Sequence, residues 1–161
     1  MLAFQLMRFM FFEILFAASF VYAVIRGGAP ERITALLFVA AWFLTFAAES
    51  SAHIRYTHVE IGVFFVDLGL FAAVYVLSLF STRFWPIWMS GLLGVEVLVH
   101  GTIFVSSVSS FAYAVMEQFW GYPTLVLLIV ATRRHRLRLA RTGSDRPWIF
   151  PAGRREPPSP D

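Results

Sequence analysis

The sequence predicts an all-α, polytopic membrane protein: a bundle of five transmembrane helices followed by a short cytoplasmic C-terminal tail. Hydrophobic residues make up 58% of the chain and charged residues 14%, against about 45–50% and 25% in soluble domains. The apolar residues fall into five stretches of about 20 residues, the length that crosses a hydrocarbon core. A chain of 161 residues accommodates one such domain.

The first stretch, residues 2–25, is predicted to be a retained transmembrane helix and not a cleaved signal peptide. Arg8 lies within the apolar run, and Glu13 interrupts the region that a signal peptide keeps apolar. Gly27 and Gly28 follow this helix as a turn. Pro30 suits the start of the second helix, whose apolar stretch is residues 33–52.

The third and fourth helices are predicted over residues 60–80 and 86–105, and the fifth over residues 111–131. Thr82 is the predicted N-cap of the fourth helix, and Pro86 suits its first turn. Trp85 and Trp88 are expected in an aromatic belt at the membrane interface, at the cytoplasmic end of the fourth helix. A serine-rich segment, residues 106–110, separates the last two helices. Pro123 predicts a kink in the fifth helix.

The positions of the arginines predict an N-terminus outside and a C-terminus in the cytoplasm, because basic residues accumulate on the cytoplasmic side. The membrane bundle is expected over residues 1–132. The tail, residues 133–161, is arginine-rich and then proline-rich and is predicted to be largely disordered. Five of its arginines are expected to anchor the topology and contact lipid headgroups: Arg133, Arg134, Arg136, Arg138 and Arg141. This basic run is not expected to bind nucleic acid.

Each apolar stretch contains a carboxylate, and ionisable groups inside a bilayer are costly and usually have a role. The predicted intramembrane polar cluster has seven members: Glu13, Glu49, His53, Asp67, Glu96, His100 and Glu117. In the predicted topology, no acidic or histidine side chain falls in the cytoplasmic half of any helix. We therefore expect Asp67, Glu96 and His100 to face one cavity in the outer leaflet.

Several roles for this cluster remain open. Residues four apart share a helix face, so Glu49/His53 and Glu96/His100 each pair an acid with an imidazole. These four residues are the candidate ligands for a divalent metal or for haem. Proton or cation movement, or interhelical hydrogen bonds without further function, would use the same side chains.

Four segments of turn and interface residues carry a resemblance to a bacterial family: Arg26-Gly27-Gly28-Ala29-Pro30-Glu31-Arg32, Arg83-Phe84-Trp85-Pro86-Ile87-Trp88, Trp120-Gly121-Tyr122-Pro123 and Arg133-Arg134-His135-Arg136. They resemble uncharacterised small multi-pass inner-membrane proteins of sphingomonad-type alphaproteobacteria, a group without an assigned activity. The resemblance implies a bacterial inner membrane and no catalytic role, and Asp67 and His100 match polar positions of that group.

The sequence contains no cysteine, and no Walker, GxGxxG, GxSxG or HExxH motif. We therefore expect a non-enzymatic accessory subunit or binding module with a polar pocket in the outer leaflet. Its expected partners are membrane lipid and either other membrane proteins or further copies of itself. The alternative is a metal- or haem-binding redox component or a small transporter that uses the Glu/His cluster.

Overall fold

The protein is all-helical in its computed structural model, which describes residues 2–48, 61–101 and 110–149. Those residues form five helices in chain order: α1 (Leu2–Arg26), α2 (Ala29–Ala48), α3 (Ile61–Phe80), α4 (Trp85–Gly101) and α5 (Ser110–Thr142). No β-strand occurs in these three ranges, where a single antiparallel bridge joins Ser81 to Trp148. The predicted all-α class and the five helices are confirmed.

Three helices are long and apolar enough to cross a membrane: Phe9–Arg26 within α1, Ala29–Ala48 and Ile61–Phe80. The apolar part of α4, Trp85–Val99, is shorter. Membrane association and a helical bundle are thus supported by length and composition, with three candidate spans among the described residues.

The turn between α1 and α2 depends on two glycines. The Gly27 amide donates to the Ala23 carbonyl at 2.8 Å and completes the last turn of α1. A Cβ on Gly27 would collide with that carbonyl oxygen, so only glycine fits this turn without a backbone shift. Pro30 and Pro86 lie in the first turns of α2 and α4, as predicted.

Consecutive helices pack against each other, and α5 closes the bundle by packing against α1 and α4, with a smaller contact to α2. At the contact between α1 and α5, the rings of Phe12 and Tyr122 meet edge to face at 5.4 Å. Gly121 allows this approach, since a Cβ there would lie 2.8 Å from the Phe12 ring. Pro123 lies inside α5 without ending it.

A core cluster draws side chains from all five helices, mostly from the parts nearest the two short connections at 27–28 and 81–84. Its buried members are Ala23, Ala35, Phe38, Val74, Leu77, Trp85, Met89, Leu93, Leu125, Leu128 and Ala131. Several buried hydroxyls along the same helices donate to their own helix backbone, as Ser78 does to the Tyr75 carbonyl and Thr132 to the Leu128 carbonyl, whereas the buried Thr34 hydroxyl has no partner among the described residues. The bonded hydroxyls occupy little space and keep their hydrogen bonds, which allows close helix packing.

The outer surface of the bundle is strongly apolar. Phe46 of α2 is 73% exposed, Leu98 of α4 is 72% exposed, and similar side chains project from the other three helices. Water-soluble proteins seldom expose apolar patches of this extent.

The C-terminal part differs from the predicted disordered tail, because α5 does not end at residue 132 but continues to Thr142. Gly143 ends it with a φ of 71° and donates its amide to the Leu139 carbonyl at 2.9 Å. Residues 143–149, here called the strap, then return to the α3–α4 connection. There the Thr82 amide donates to the Pro147 carbonyl at 3.2 Å, and the Ile149 amide donates to the Phe80 carbonyl at 2.9 Å.

Candidate functional site

The structure assembles a buried network of charged side chains at one end of the bundle. This end, here called the Arg83 end, contains the end of α1, the start of α2, the α3–α4 connection, the part of α5 after Thr132 and the strap. The network has six members: Glu31, Arg83, Trp85, His135, Arg138 and Asp145. Its members come from separate parts of the sequence and meet only in the folded bundle.

Arg83 is the centre of the network and is 6% exposed. Its Nη1 lies 2.9 Å from Glu31 Oε1 and 2.9 Å from Asp145 Oδ2. Its Nη2 lies 3.0 Å from His135 Nδ1. The Arg83 amide donates to Ser81 Oγ at 3.1 Å, which fixes the start of the side chain. A planar guanidinium with several donors is well suited to join acids from separate elements.

Glu31 lies in the first turn of α2 and is completely buried. Its Oε1 accepts from Trp85 Nε1 at 3.0 Å as well as from Arg83, and its Oε2 accepts from the Gly28 amide at 3.1 Å. A carboxylate at a helix N-terminus is also favoured by the helix dipole. Trp85, expected from the sequence in an interfacial aromatic belt, is instead buried against this carboxylate.

Asp145 fixes the strap to the bundle. Its Oδ2 lies 2.6 Å from His135 Nδ1 and 3.2 Å from Arg138 Nε. Burial alone would raise the pKa of Asp145, but the hydrogen bond with His135 and the charges of Arg83 and Arg138 outweigh it. The pKa of Asp145 therefore lies below its ordinary value of 3.8.

The ionised Asp145 carboxylate determines the tautomer of His135. A carboxylate can only accept, so His135 Nδ1 must carry the proton that it donates to Asp145 Oδ2 at 2.6 Å. The same nitrogen then cannot accept from Arg83 Nη2, and their 3.0 Å separation is a close contact between two donors. Asp145 thus holds the imidazole and the guanidinium together.

The network contains more donors than acceptors. Arg83 Nε and Arg138 Nη2 are buried and have no hydrogen-bond partner among the described residues. Two carboxylates face two guanidiniums and an imidazole, and Asp145 alone contacts all three of these groups. Buried donors without partners are uncommon in proteins. We call the three side chains that converge on Asp145 the cradle: Arg83, His135 and Arg138.

Gly28 leaves room for the network because it has no side chain. A Cβ at this position would lie 2.8 Å from Arg83 Nη2, 3.1 Å from Glu31 Oε2 and 3.1 Å from His135 Cε1. The α1–α2 turn thus packs directly on the ion pairs, which explains why the chain has glycine beside Glu31.

This network corrects the helix bounds predicted from the sequence. The second and fifth helices were predicted over residues 33–52 and 111–131, which leaves Glu31 and His135 outside them, yet both lie within helices and are buried at the Arg83 end. The predicted topology already places Glu31, Arg83 and His135 at one end of the bundle, which is consistent with contact between them. Their burial was not predicted because all three lie beside turns or within an arginine run, where side chains are usually exposed to solvent.

The predicted polar cluster is described only in part. Glu49 and His53 lie outside the described residues, as do the side chains of His100 and Glu117. Asp67 of α3 and Glu96 of α4 are half-buried on two helices that pack together, and each takes part in an interaction. The common cavity expected for Asp67, Glu96 and His100 therefore stays a prediction.

Glu13, for which no partner was clear from the sequence, accepts a hydrogen bond from Trp42 Nε1 of α2 at 3.3 Å. The Trp42 ring also stacks on Phe46 and lies 6.4 Å from the Phe16 ring. This polar contact is surrounded by aromatic side chains from α1 and α2.

The five arginines expected as headgroup anchors separate into two groups. Arg138 takes part in the network, whereas the other four are exposed on α5 or lie at its surface: Arg133, Arg134, Arg136 and Arg141. Arg26 and Arg32 are also exposed at this end. Glu31 and Asp145 both take part in the network, so among the described residues the exposed charge of the Arg83 end comes from arginine.

Among the described residues, no three His, Asp or Glu side chains are grouped as a metal site requires. Comparisons with protein-family models, with curated proteins and with solved structures found nothing that matches this chain. The bundle and its buried network are therefore the features from which a function can be inferred.

Proposed function

We propose that this chain is a small multi-pass integral protein of the bacterial inner membrane that acts as an accessory subunit or binding module. The observation that carries the proposal is the placement of charge. The described charged side chains at the Arg83 end are either paired inside the network or exposed as arginine, while the bundle around them exposes apolar side chains. A network of buried ion pairs holds helices together and leaves the apolar surface for lipid or for another membrane protein.

All five helices are proposed to cross the membrane. Three qualify by length and composition, and α5 packs against both α1 and α4. The Arg83 network joins the start of α2, the α3–α4 connection and α5 at one end of the bundle. We therefore place α4 and α5 at the same depth in the membrane as the three candidate spans. The 17 residues of α4 extend about 25 Å at 1.5 Å per residue, slightly less than a bilayer core of about 30 Å.

The Arg83 end is proposed to face the cytoplasm, with the N-terminus outside. Arg26, Arg32 and the exposed arginines of α5 all lie at this end. The positive-inside rule favours retaining such a surface in the cytoplasm over moving it across the bilayer. The resemblance to inner-membrane proteins of sphingomonad-type alphaproteobacteria supports the same location.

The binding role is assigned to the half of the bundle away from the Arg83 end. Asp67 lies 13 residues before Phe80, and Glu96 lies 11 residues after Trp85, which places both about 17–20 Å from the Arg83 end along their helices. Polar groups at this depth mark ligand or partner sites in membrane proteins. We place the pocket there, with His100 as the third member.

The experiment has two parts, on membranes and on purified protein. Alkaline phosphatase fused after the last residue should be inactive, and fusions in the segment between α2 and α3 should be active. An active C-terminal fusion would contradict the orientation. Resistance of the protein to carbonate extraction from inner-membrane fractions tests integral insertion.

The purified protein should show no visible absorption band and no stoichiometric metal. A band or a bound metal that is lost in Glu96→Gln or His100→Ala would replace the accessory role with the redox or metal-transport alternative. The matched control is Glu13→Gln, because Glu13 has a partner on α2 and lies outside the proposed ligand set.

A further inference from the structure

The Asp145 carboxylate occupies a site with more donors than it can use. Three donors converge on its Oδ2: Arg83 Nη1 at 2.9 Å, His135 Nδ1 at 2.6 Å and Arg138 Nε at 3.2 Å. All three belong to the helical bundle or its short connection, whereas Asp145 belongs to the strap. The cradle is therefore built by the bundle and filled by a separate segment.

The hydrogen-bond donors without partners indicate which ligand, other than a carboxylate, would fit the cradle. Arg83, which is 6% exposed, has a buried Nε without a partner among the described residues, and so has the Nη2 of Arg138. Asp145 Oδ1 accepts from Arg138 Nε at 3.3 Å. A phosphate group presents more oxygens and more negative charge than a carboxylate, and guanidinium groups bind it in a bidentate manner.

The charge balance points to the same ligand. Glu31 neutralises Arg83 within the bundle, so removal of Asp145 from the cradle takes away the carboxylate that pairs with Arg138 and His135. Arg83 and His135 are largely buried, and buried donors that lose their acceptor are unfavourable. The bundle without its strap is thus an anion site.

The strap is attached largely through its backbone and has a hinge. Besides the Asp145 contacts, it makes two backbone hydrogen bonds to the α3–α4 connection, accepts a hydrogen bond from the Thr82 hydroxyl at the Arg146 carbonyl, and packs Trp148 partly on the core. Gly143, at a φ of 71°, lies where the strap leaves α5. Rotation at this glycine would lift Asp145 from the cradle and break the strap's hydrogen bonds to Thr82 and Phe80, while the hydrogen bonds within the helices stay in place.

We propose that the cradle is a phosphate-binding site and that Asp145 occupies it as an internal substitute. A phosphate group, whether of a lipid headgroup or of a soluble anion, replaces Asp145 and releases the strap. Exposed arginines surround the cradle on α5 and draw such anions to it. This site is separate from the pocket proposed for Asp67 and Glu96, and it is tested on purified protein independently of topology.

The first test measures binding of inorganic phosphate to the full chain in detergent, by ³¹P NMR or calorimetry. Asp145→Asn keeps the shape of the side chain and removes its charge. We expect this variant to bind phosphate at least about tenfold more tightly than the unaltered protein, the factor expected when an internal competitor fills a site nine-tenths of the time. Equal affinities, or no binding by either protein, would overturn the proposal.

The second test separates the cradle from general attraction to arginine. In the Asp145→Asn background, Arg138→Gln should abolish the gain, whereas Arg141→Gln should keep it. Arg141 is an exposed arginine one turn further along the same helix, so it is the matched control. An equal loss in both double variants would show that binding is nonspecific and would overturn the site.

The third test identifies the source of the phosphate and follows the strap. The chain has no cysteine, so Ser144→Cys and Arg32→Cys give a specific pair of spin labels. A longer label distance when free phosphate is added to the protein in a maltoside detergent, which contains no phosphate, indicates a soluble anion. A longer distance only when phosphatidic acid is added to that detergent indicates a lipid headgroup. Either result supports the proposal, and an unchanged distance under both conditions would contradict release of the strap.

Discussion

Arg83 and Glu31, 52 residues apart in the chain, form an ion pair with 2.9 Å between Nη1 and Oε1, and both side chains are almost fully buried. The pair joins the start of α2 to the connection between α3 and α4. The Trp85 indole and the Gly28 amide complete the hydrogen bonds of the carboxylate. Because the pair is closed off from solvent, its members depend on each other more strongly than surface charges do.

Removal of one partner should destabilise the bundle strongly. Arg83→Gln leaves the buried Glu31 carboxylate without its counterion, and we expect a loss of about 3–5 kcal/mol. Glu31→Gln should cost less, because Arg83 keeps Asp145 Oδ2 at 2.9 Å. The double variant Glu31→Leu/Arg83→Met should be more stable than Arg83→Gln, since no unpaired charge remains between those positions. Unfolding in detergent, followed by tryptophan fluorescence, measures the three differences. A double variant as unstable as the sum of the single ones would show that the two residues act independently.

A methyl group at Gly28 should disturb the same network. Gly28→Ala places its Cβ 2.8 Å from Arg83 Nη2 and 3.1 Å from His135 Cε1, and Arg83 cannot retreat without losing Glu31. We expect a loss of about 1–3 kcal/mol. Gly91→Ala in α4 is the matched control, because nothing lies within 4 Å of its Cβ and alanine is the better helix former by about 0.5–1 kcal/mol. Opposite signs for the two variants in the same unfolding assay would support this account, and equal losses would contradict it.

The strap should be released at low pH. The folded pKa of Asp145 is below its ordinary value of 3.8, so its contribution to stability is fully present above about pH 4 and is lost as the pH falls through the folded pKa. Asp145→Asn lacks this contribution at every pH. The difference in unfolding free energy between the two proteins should therefore shrink below about pH 4. A difference that stays constant as the pH is lowered to about 2 would exclude Asp145 as the titrating group.

The turn into the strap should require a residue that tolerates a positive φ. Gly143 has a φ of 71°, and a methyl group added there would meet no atom within 4 Å, so a substitution tests backbone conformation alone. We expect Gly143→Ala to cost about 1–2 kcal/mol and Gly143→Asn to cost less, since asparagine adopts this conformation more readily. Unfolding free energies in detergent provide the measurement, with spin-label distances between the strap and α2 as a second readout. Identical behaviour of alanine and asparagine would count against a conformational origin.

The hydrogen bond between Glu13 and Trp42 should contribute modestly to the free energy of unfolding. Trp42→Phe keeps an aromatic ring beside Phe46 but removes the indole donor that lies 3.3 Å from Glu13. We expect a loss of about 0.5–1.5 kcal/mol in the unfolding free energy. Glu13→Gln, which keeps a carbonyl acceptor, should be close to neutral and serves as the comparison. A larger effect of Glu13→Gln than of Trp42→Phe would indicate that the Glu13 charge has a role of its own.

The helical part of the fold could be predicted from the sequence because each helix is a local property of its residues. Apolar stretches, Gly27 with Gly28, and the prolines at 30 and 86 mark the helices and their starts. The fifth helix was predicted to end at residue 131 because the arginine-rich composition of the next segment indicated a tail. Arginine and leucine are good helix formers, and in the structure they continue α5 to Thr142. The continuous helix to Thr142 carries His135 and Arg138 to the places where they meet Arg83 and Asp145.

The sequence by itself determined an apolar chain of five helices. It also determined that most of the arginines lie at the α1–α2 turn, at the α3–α4 connection or in the last part of α5. Only the tertiary structure decided which of these charges are buried, because burial of Glu31 and Arg83 depends on a partner 52 residues away. An unpaired charge at either position would have to face water, and periodicity along one helix cannot reveal the pairing. The buried ion pairs, and the strap that Asp145 fixes to them, exist because the bundle brings α2, the α3–α4 connection and α5 to one place.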